Sequence, residues 1–118
     1  MPTLHYAQVA FAKRVPRLLD KAFELGFEVT LGDAYRSPQE ATRLAATGAG
    51  IVRSLHCDRL ALDLQLFKDN RYLTQTDDYR PLGEFWLSLS ADGFECAWGG
   101  LFSRQDGGHF SIAWGGRR

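Results

Sequence analysis

The clearest pattern in this 118-residue chain is an alternation of apolar and polar side chains between Leu60 and Leu66. Leucine occupies positions 60, 62, 64 and 66, and Ala61, Asp63 and Gln65 occupy the positions between them. Because successive side chains of a strand point to opposite faces, the pattern predicts a strand with a leucine face in the core and Asp63 on a polar face. A one-residue slip would bury an unpaired carboxylate in apolar packing, which is strongly unfavourable.

A second alternation begins at His109 near the end of the chain. Phe110, Ile112 and Trp114 fall on one predicted face, and His109 and Ser111 fall on the other. Both predicted strands therefore carry a side chain able to bind a metal on the face opposite their apolar residues.

Apolar residues spaced by three and four positions predict helices at Ala7 to Gly26, at Pro38 to about Thr47 and at Asp77 to Leu89. Two prolines complicate these helices, because an interior proline removes a hydrogen bond and clashes with the preceding turn. We expect Pro16 to begin the main part of the first helix or to break it, and Pro81 to be tolerated only in a first turn.

Shorter signals complete the prediction. Ser37 is expected to cap the second helix, with Glu40 three residues later. Further strands are predicted at 27–31, 71–74 and 94–98, and a flexible connection at 48–50 leads into an extended approach segment at 51–56. The pattern indicates a single α+β domain over residues 1–118, with a small antiparallel sheet flanked by two to three helices.

Composition excludes several classes of function. The formal net charge of zero gives no electrostatic reason to bind nucleic acid or an anionic membrane. No apolar stretch approaches the roughly 18 residues of a membrane span, and no secretory leader is recognisable, so we expect a protein made in the cytoplasm. It is also expected to be a monomer. Cys57 and Cys96 form no disulfide framework and are expected to be structural. Cys57 is assigned this role because neighbouring side chains on an extended segment point to opposite sides, away from His56.

The candidate chemistry lies in the polar residues around the two alternating stretches. His56, Asp63 and His109 offer three nitrogen and oxygen ligands, the number that a catalytic zinc ion takes while leaving a position for water. Such an ion lowers the pKa of its water to about 7. Asp106 remains as a candidate base, whereas His5 lies outside every motif and is not expected to be a ligand.

Together these motifs resemble the M15 zinc peptidases, and the L-alanyl-D-glutamate peptidase branch used as bacteriophage endolysins is the most similar. The resemblance runs from about Tyr35 to Phe110. It is carried by three motifs: Ser54-x-His56-x6-Asp63, Trp98-Gly99-Gly100 and Asp106-x-x-His109-Phe110. The fold of this family, an antiparallel sheet flanked by helices and shared with the hedgehog signalling domain, agrees with the pattern described above.

The resemblance also implies roles for individual residues. His56, Asp63 and His109 match the zinc ligands, and Asp106 matches the acidic general base that accepts and returns a proton. Arg36 matches an arginine that stabilises the reacting carbonyl group. The implied substrate is the stem peptide of bacterial peptidoglycan, reached after release from the producing cell.

Two alternatives stay open at this point. A D-alanyl-D-alanine carboxypeptidase or dipeptidase is disfavoured because those relatives usually have glycine at the position of Arg59 and glutamate at that of Asp106. A non-catalytic zinc-binding interaction module is disfavoured because it has no need of an extra acid beside its ligands. Ser111 and Gln39 could bind substrate or could be ordinary polar and capping residues.

Overall fold

The computed structural model describes residues 2–51 and 53–118. Within them, three α-helices and five antiparallel strands confirm the predicted α+β class. In chain order the elements are α1 (Leu4–Glu24), β1 (Glu28–Leu31), α2 (Pro38–Ala46), a 3₁₀ helix (Leu55–Asp58), β2 (Ala61–Lys68), β3 (Arg71–Tyr72), α3 (Thr76–Ser88), β4 (Cys96–Trp98), a second 3₁₀ helix (Gly99–Leu101) and β5 (His109–Ile112). No helix in this part of the chain combines the length and the apolar character needed to cross a membrane.

The sheet has the order β1-β2-β5-β4, and the short strand β3 pairs with the end of β2. Strand β2 is central and lies antiparallel to β5, with Asp63 directly opposite His109 and Leu62 opposite Phe110. Because paired residues of neighbouring strands project from the same face, this register places Asp63 and His109 side by side.

The core lies on the leucine face of β2, as predicted. The leucines at positions 60, 62, 64 and 66 are all buried. They form one apolar cluster with Phe110 of β5, Leu18 of α1 and Trp86 of α3. Burial of apolar side chains from both helices against this face is the main force that holds the helices on the sheet.

The expectations for the two prolines were wrong. Helix α1 continues through Pro16 without a break, and Pro81 is the sixth residue of α3, beyond its first turn. Pro16 and Ala12, whose carbonyl loses its donor, are both exposed, as are Pro81 and Asp77. Each proline therefore lies on the exposed side of its helix, while buried residues on the opposite side hold the helix together.

Several predicted strands end earlier or begin later in the structure. Strand β3 stops at Tyr72, because the carbonyl of Leu73 accepts a hydrogen bond from the Tyr79 hydroxyl at 2.8 Å. Strand β5 stops at Ile112, and Trp114 instead forms an isolated bridge with residue 117, although its half-buried side chain still packs against the core. Strand β4 begins at residue 96, because residues 91–94 form a tight turn closed by backbone hydrogen bonds.

Candidate metal centre

His56 is placed by a 3₁₀ helix and not by the extended segment that the sequence predicted for residues 51–56. Ser54 caps this helix, and its Oγ accepts a hydrogen bond from the His56 backbone N–H at 3.1 Å. Arg59 ends the helix in the left-handed conformation, with φ 58°. Val52, within the predicted segment, lies outside the described residues. The result is a tight turn that directs a buried His56 towards β2.

The 3₁₀ helix also removes the argument used for Cys57. That argument required an extended segment in which neighbouring side chains point to opposite sides, and residues 55–58 are helical. Cys57 is a half-buried free thiol, and Cys96 is buried and likewise free. The structural role of Cys57 therefore stays a prediction.

The structure brings the three predicted ligands together. Asp63 Oδ1 lies 3.3 Å from His56 Nε2 and 3.6 Å from His109 Nδ1. Candidate ligand atoms of the three residues all lie within 4.8 Å of one another. Two imidazoles and one carboxylate form a donor set that zinc accepts, and so this cluster on the sheet could hold a metal ion.

The surroundings of the cluster fit that interpretation. Asp63 Oδ1 is buried and has no hydrogen-bond partner, which is unfavourable unless a ligand completes its environment. The Ala34 carbonyl lies 3.4 Å from His56 Nδ1, an arrangement that leaves Nε2 available to a metal. Burial acts to raise the pKa of Asp63, but the imidazoles of His109 and His56 outweigh it and hold the pKa well below its usual range. The carboxylate is therefore ionised, as a metal ligand must be.

A short loop after β4 places Asp106 beside the cluster. The Gly99 carbonyl accepts hydrogen bonds from the backbone N–H groups of Phe102 and Asp106 at 3.1 and 2.9 Å. A Cβ atom at Gly99 would lie only 2.1 Å from the Asp106 carbonyl oxygen, so only glycine permits this closure. The turn then continues into β5, because the His109 N–H donates to the Asp106 carbonyl at 3.1 Å.

Trp98 holds the middle of the same turn, a role that sequence reasoning did not assign. Its indole N–H donates to the Gly107 carbonyl at 2.7 Å, and the next carbonyl, that of Gly108, accepts from the Leu64 N–H at 2.8 Å. The Trp98-Gly99-Gly100 motif was the available signal, but the sequence did not show where the indole points. The segment that carries Asp106 is thus fastened to both β4 and β2.

Asp106 itself is exposed at the wall of the cavity next to the cluster. Partial burial of its carboxyl group, followed by the negative charge of Asp63, raises the pKa of Asp106. A carboxylate with a raised pKa is a stronger base than an ordinary aspartate.

Arg36 also reaches the cluster. Its Nη2 atom lies 2.8 Å from Asp33 Oδ2 and 4.0 Å from Asp63 Oδ2, and only 10% of its side chain is exposed. Its backbone N–H donates to the His56 carbonyl at 3.2 Å, which ties this segment to the 3₁₀ helix. The guanidinium group is therefore held at the edge of the candidate metal site.

The cluster opens into a cavity of about 640 Å³, lined by Arg36, His56 and His109 among others. A second cavity of about 330 Å³ adjoins the first, and Asp63, Gln105 and Asp106 line both. The remaining candidates fall outside this region. His5 is exposed on α1, Ser111 is fully buried, and neither they nor Gln39 line either cavity.

The fold and site define a small α+β protein whose sheet carries a candidate His-Asp-His metal site. No protein-family model matches the sequence. No curated protein matches it either. Among solved structures, the chain is similar to the Serratia marcescens L-Ala D-Glu endopeptidase ChiX, with a TM-score of 0.64 and 18% sequence identity over 92% of this chain and 85% of that one. At this identity the likeness establishes a shared fold, and membership of the M15 family stays a prediction.

Proposed function

We propose that this protein is a zinc peptidase of the M15 type that hydrolyses the L-alanyl-D-glutamate bond of the peptidoglycan stem peptide. The observation that carries the proposal is the convergence of His56, Asp63 and His109 in a cavity whose wall also carries Asp106. The fold shared with an L-Ala D-Glu endopeptidase supports it. As in the phage endolysins that the sequence resembles, the protein would act on the cell wall after release from the cell that makes it.

Zinc is the metal that the donor set favours. His56, Asp63 and His109 would hold it, and the ordered environment of His56 fixes one imidazole for that purpose. Zinc in such a site supplies Lewis acidity, which polarises a carbonyl group and lowers the pKa of water to about 7.

Asp106 is assigned as the general base and acid. It accepts a proton from the attacking water and passes that proton to the leaving amine, so that it ends in its original state. Its raised pKa suits both halves of this transfer, because the group must first bind a proton and then release it.

Arg36 is assigned to the developing oxyanion. Its guanidinium group is always charged and lies near Asp63 on the wall of the larger cavity. Because Asp33 already holds this guanidinium at 2.8 Å, the group is oriented before the substrate arrives.

The cavities favour an endopeptidase over a carboxypeptidase. A carboxypeptidase closes its site beyond the terminal carboxylate of its substrate, whereas an endopeptidase must hold chain on both sides of the cleaved bond. Here two cavities meet at Asp63 and Asp106, which line both of them. The region thus has room for a peptide that continues in both directions.

Mass spectrometry of stem-peptide fragments tests this function. Peptidoglycan is digested with zinc-loaded protein and, in parallel, with the Asp106→Ala variant. The proposal predicts new L-alanine carboxyl ends and D-glutamate amino ends in the first digest and their absence from the second.

A different result of the digest would favour the carboxypeptidase or the non-catalytic binding module. Release of free D-alanine with the L-alanyl-D-glutamate bond intact would replace the proposal with the carboxypeptidase. No cleavage by a protein that retains zinc would replace it with the non-catalytic binding module.

A further inference from the structure

The two cavities beside the candidate metal site differ in charge. Both are lined by Asp63 and Asp106, but the larger one is also lined by Arg36, Arg104 and Arg118. Within residues 2–51 and 53–118, no arginine or lysine lines the smaller cavity, whose other polar side chains are uncharged. A peptide that crosses the site therefore meets cationic groups on one side only.

Two of the three arginines already have acidic partners. Arg36 Nη2 lies 2.8 Å from Asp33 Oδ2, and Arg118 Nη2 lies 3.4 Å from Glu95 Oε1. In the part of the chain that the structure describes, Arg104 forms no ion pair. Unlike Arg36 and Arg118, its guanidinium group is therefore available to form two parallel hydrogen bonds with a carboxylate ligand.

The backbone brings Arg104 close to the candidate base. Arg104 lies two residues before Asp106, in the loop whose two ends both bond to the Gly99 carbonyl. The neighbouring Gln105 Nε2 donates to the Gly100 carbonyl at 3.4 Å, which fastens the loop once more. The position of the Arg104 backbone is thus defined, while its exposed side chain extends from the rim of the cavity.

The substrate of the proposed function supplies a matching charge. Glutamate has two carboxyl groups, and whichever of them continues the peptide, the other stays free unless it is amidated. The residue that follows the cleaved bond therefore brings one negative charge next to the reacting carbonyl.

Resting on the proposed function, we infer that Arg104 binds the free carboxylate of the D-glutamate residue and determines specificity for it. The D-glutamate side of the peptide then lies in the larger, cationic cavity. The L-alanine side runs into the smaller cavity, where uncharged groups such as Gln75 and Thr76 can bond to peptide groups.

The test compares two synthetic stem peptides that differ only in this group, one with the free glutamate carboxylate and one with its carboxamide. kcat/KM is measured for both with wild type, Arg104→Gln, Arg104→Lys and Arg118→Gln, each loaded with zinc. Arg17→Gln is the matched control, because Arg17 is exposed on α1 and lines neither cavity.

Wild type is expected to prefer the carboxylate peptide by about three- to tenfold, the range of a partly exposed charge-assisted contact. Arg104→Gln should abolish this preference by lowering only the rate on the carboxylate peptide. Arg104→Lys should retain part of the preference for the carboxylate peptide, and Arg17→Gln should retain the full preference.

An equal loss of rate on both peptides in Arg104→Gln, or an unchanged preference, would overturn the assignment while leaving the peptidase standing. Loss of the preference in Arg118→Gln alone would transfer the role to that residue and overturn the assignment too. If wild type cleaves neither peptide at the L-alanyl-D-glutamate bond, the proposed function fails, and the role of Arg104 fails with it.

Discussion

The two faces of the sheet differ in how their buried polar atoms are satisfied. On the side covered by α1 and α3, the Trp86 indole N–H lies 3.0 Å from the carbonyl oxygens of both Ala97 and Ser111. The Tyr79 hydroxyl donates to the Leu73 carbonyl at 2.8 Å and accepts from the Leu66 N–H at 3.1 Å. These polar groups are completed by the protein itself.

The opposite face leaves polar atoms without partners. Among the described residues, four buried side-chain atoms make no hydrogen bond: Asp63 Oδ1, His109 Nε2, Ser111 Oγ and Arg117 Nε. Three of the four lie on the same face of β2 and β5. Asp63 Oδ1 lies within the His-Asp-His cluster, 3.3 Å from His56 Nε2. Because a buried unpaired polar atom costs free energy, this oxygen indicates a place that a ligand completes. One sheet thus carries a self-sufficient core on one side and an incomplete site on the other.

The largest expected effect is a loss of catalytic rate at the candidate metal site. Asp106→Asn should lower kcat on the stem peptide by about 10²–10⁴-fold, the usual contribution of a positioned general base. Zinc content and unfolding free energy should stay near those of wild type, because Asp106 is exposed and is not one of the three clustered ligands. Steady-state kinetics and metal analysis of the same samples measure both.

Asp20→Asn is the control for that variant. Asp20 is an exposed carboxylate on α1, remote in sequence from the site, and its variant should keep wild-type kcat. Full activity in Asp106→Asn would remove the proposed base from the account.

Next in size is an effect confined to the core face. Leu66→Ala should lower the free energy of unfolding by about 2–5 kcal/mol, since Leu66 is completely buried and its removal leaves a cavity. The adjacent Gln65→Ala should change it by only about 0.5 kcal/mol or less, because Gln65 is exposed. Urea unfolding of the two variants measures the difference. Equal losses of unfolding free energy in the two variants would contradict the assignment of one face of β2 to the core and the other to the polar side.

The smallest effect depends on pH. Burial raises the pKa of Tyr79, so the folded state favours the neutral phenol. Below the unfolded pKa of about 10 this preference is fully present, and it is lost as the pH rises through the higher folded pKa. Tyr79→Phe should therefore cost about 1–3 kcal/mol at pH 7, where the Leu66 N–H and Leu73 carbonyl lose their partner.

The stability gap between wild type and Tyr79→Phe should then narrow above pH 10. Denaturant unfolding at pH 7 and at two alkaline pH values measures the gap. A constant gap across this range would show that the Tyr79 hydroxyl does not titrate differently in the folded and unfolded states.

The sequence predicted the faces of the strands better than the path of the chain between them. Period-two alternation assigned the leucines to the core and Asp63 to the polar face, because a strand has only two faces and one was clearly apolar. The direct pairing of Asp63 with His109 depends on a register that only the packed sheet defines.

What the sequence could not show depends on exposure and on distant contacts. Interior Pro16 and Pro81 lie on the exposed sides of their helices, whose opposite sides are held by buried residues, and a local pattern does not show that this packing outweighs the lost hydrogen bond. Arg14 is buried because the carbonyls of Ala91 and Phe94 lie 2.9 and 3.3 Å from its guanidinium nitrogens. The turn that supplies those acceptors lies more than seventy residues away in the chain.

Calorimetric titration of zinc into metal-free wild type, Asp63→Ala and Asp106→Asn tests the central claim most directly. The incomplete site should bind one zinc ion per chain in wild type and in Asp106→Asn, and binding should be lost in Asp63→Ala because the bridging carboxylate is removed. Bound zinc should also stabilise wild type by about 2.7 kcal/mol at a free concentration one hundred times Kd. Absence of zinc binding by wild type, or equally tight binding by Asp63→Ala, would contradict the assignment of the cluster as the metal centre.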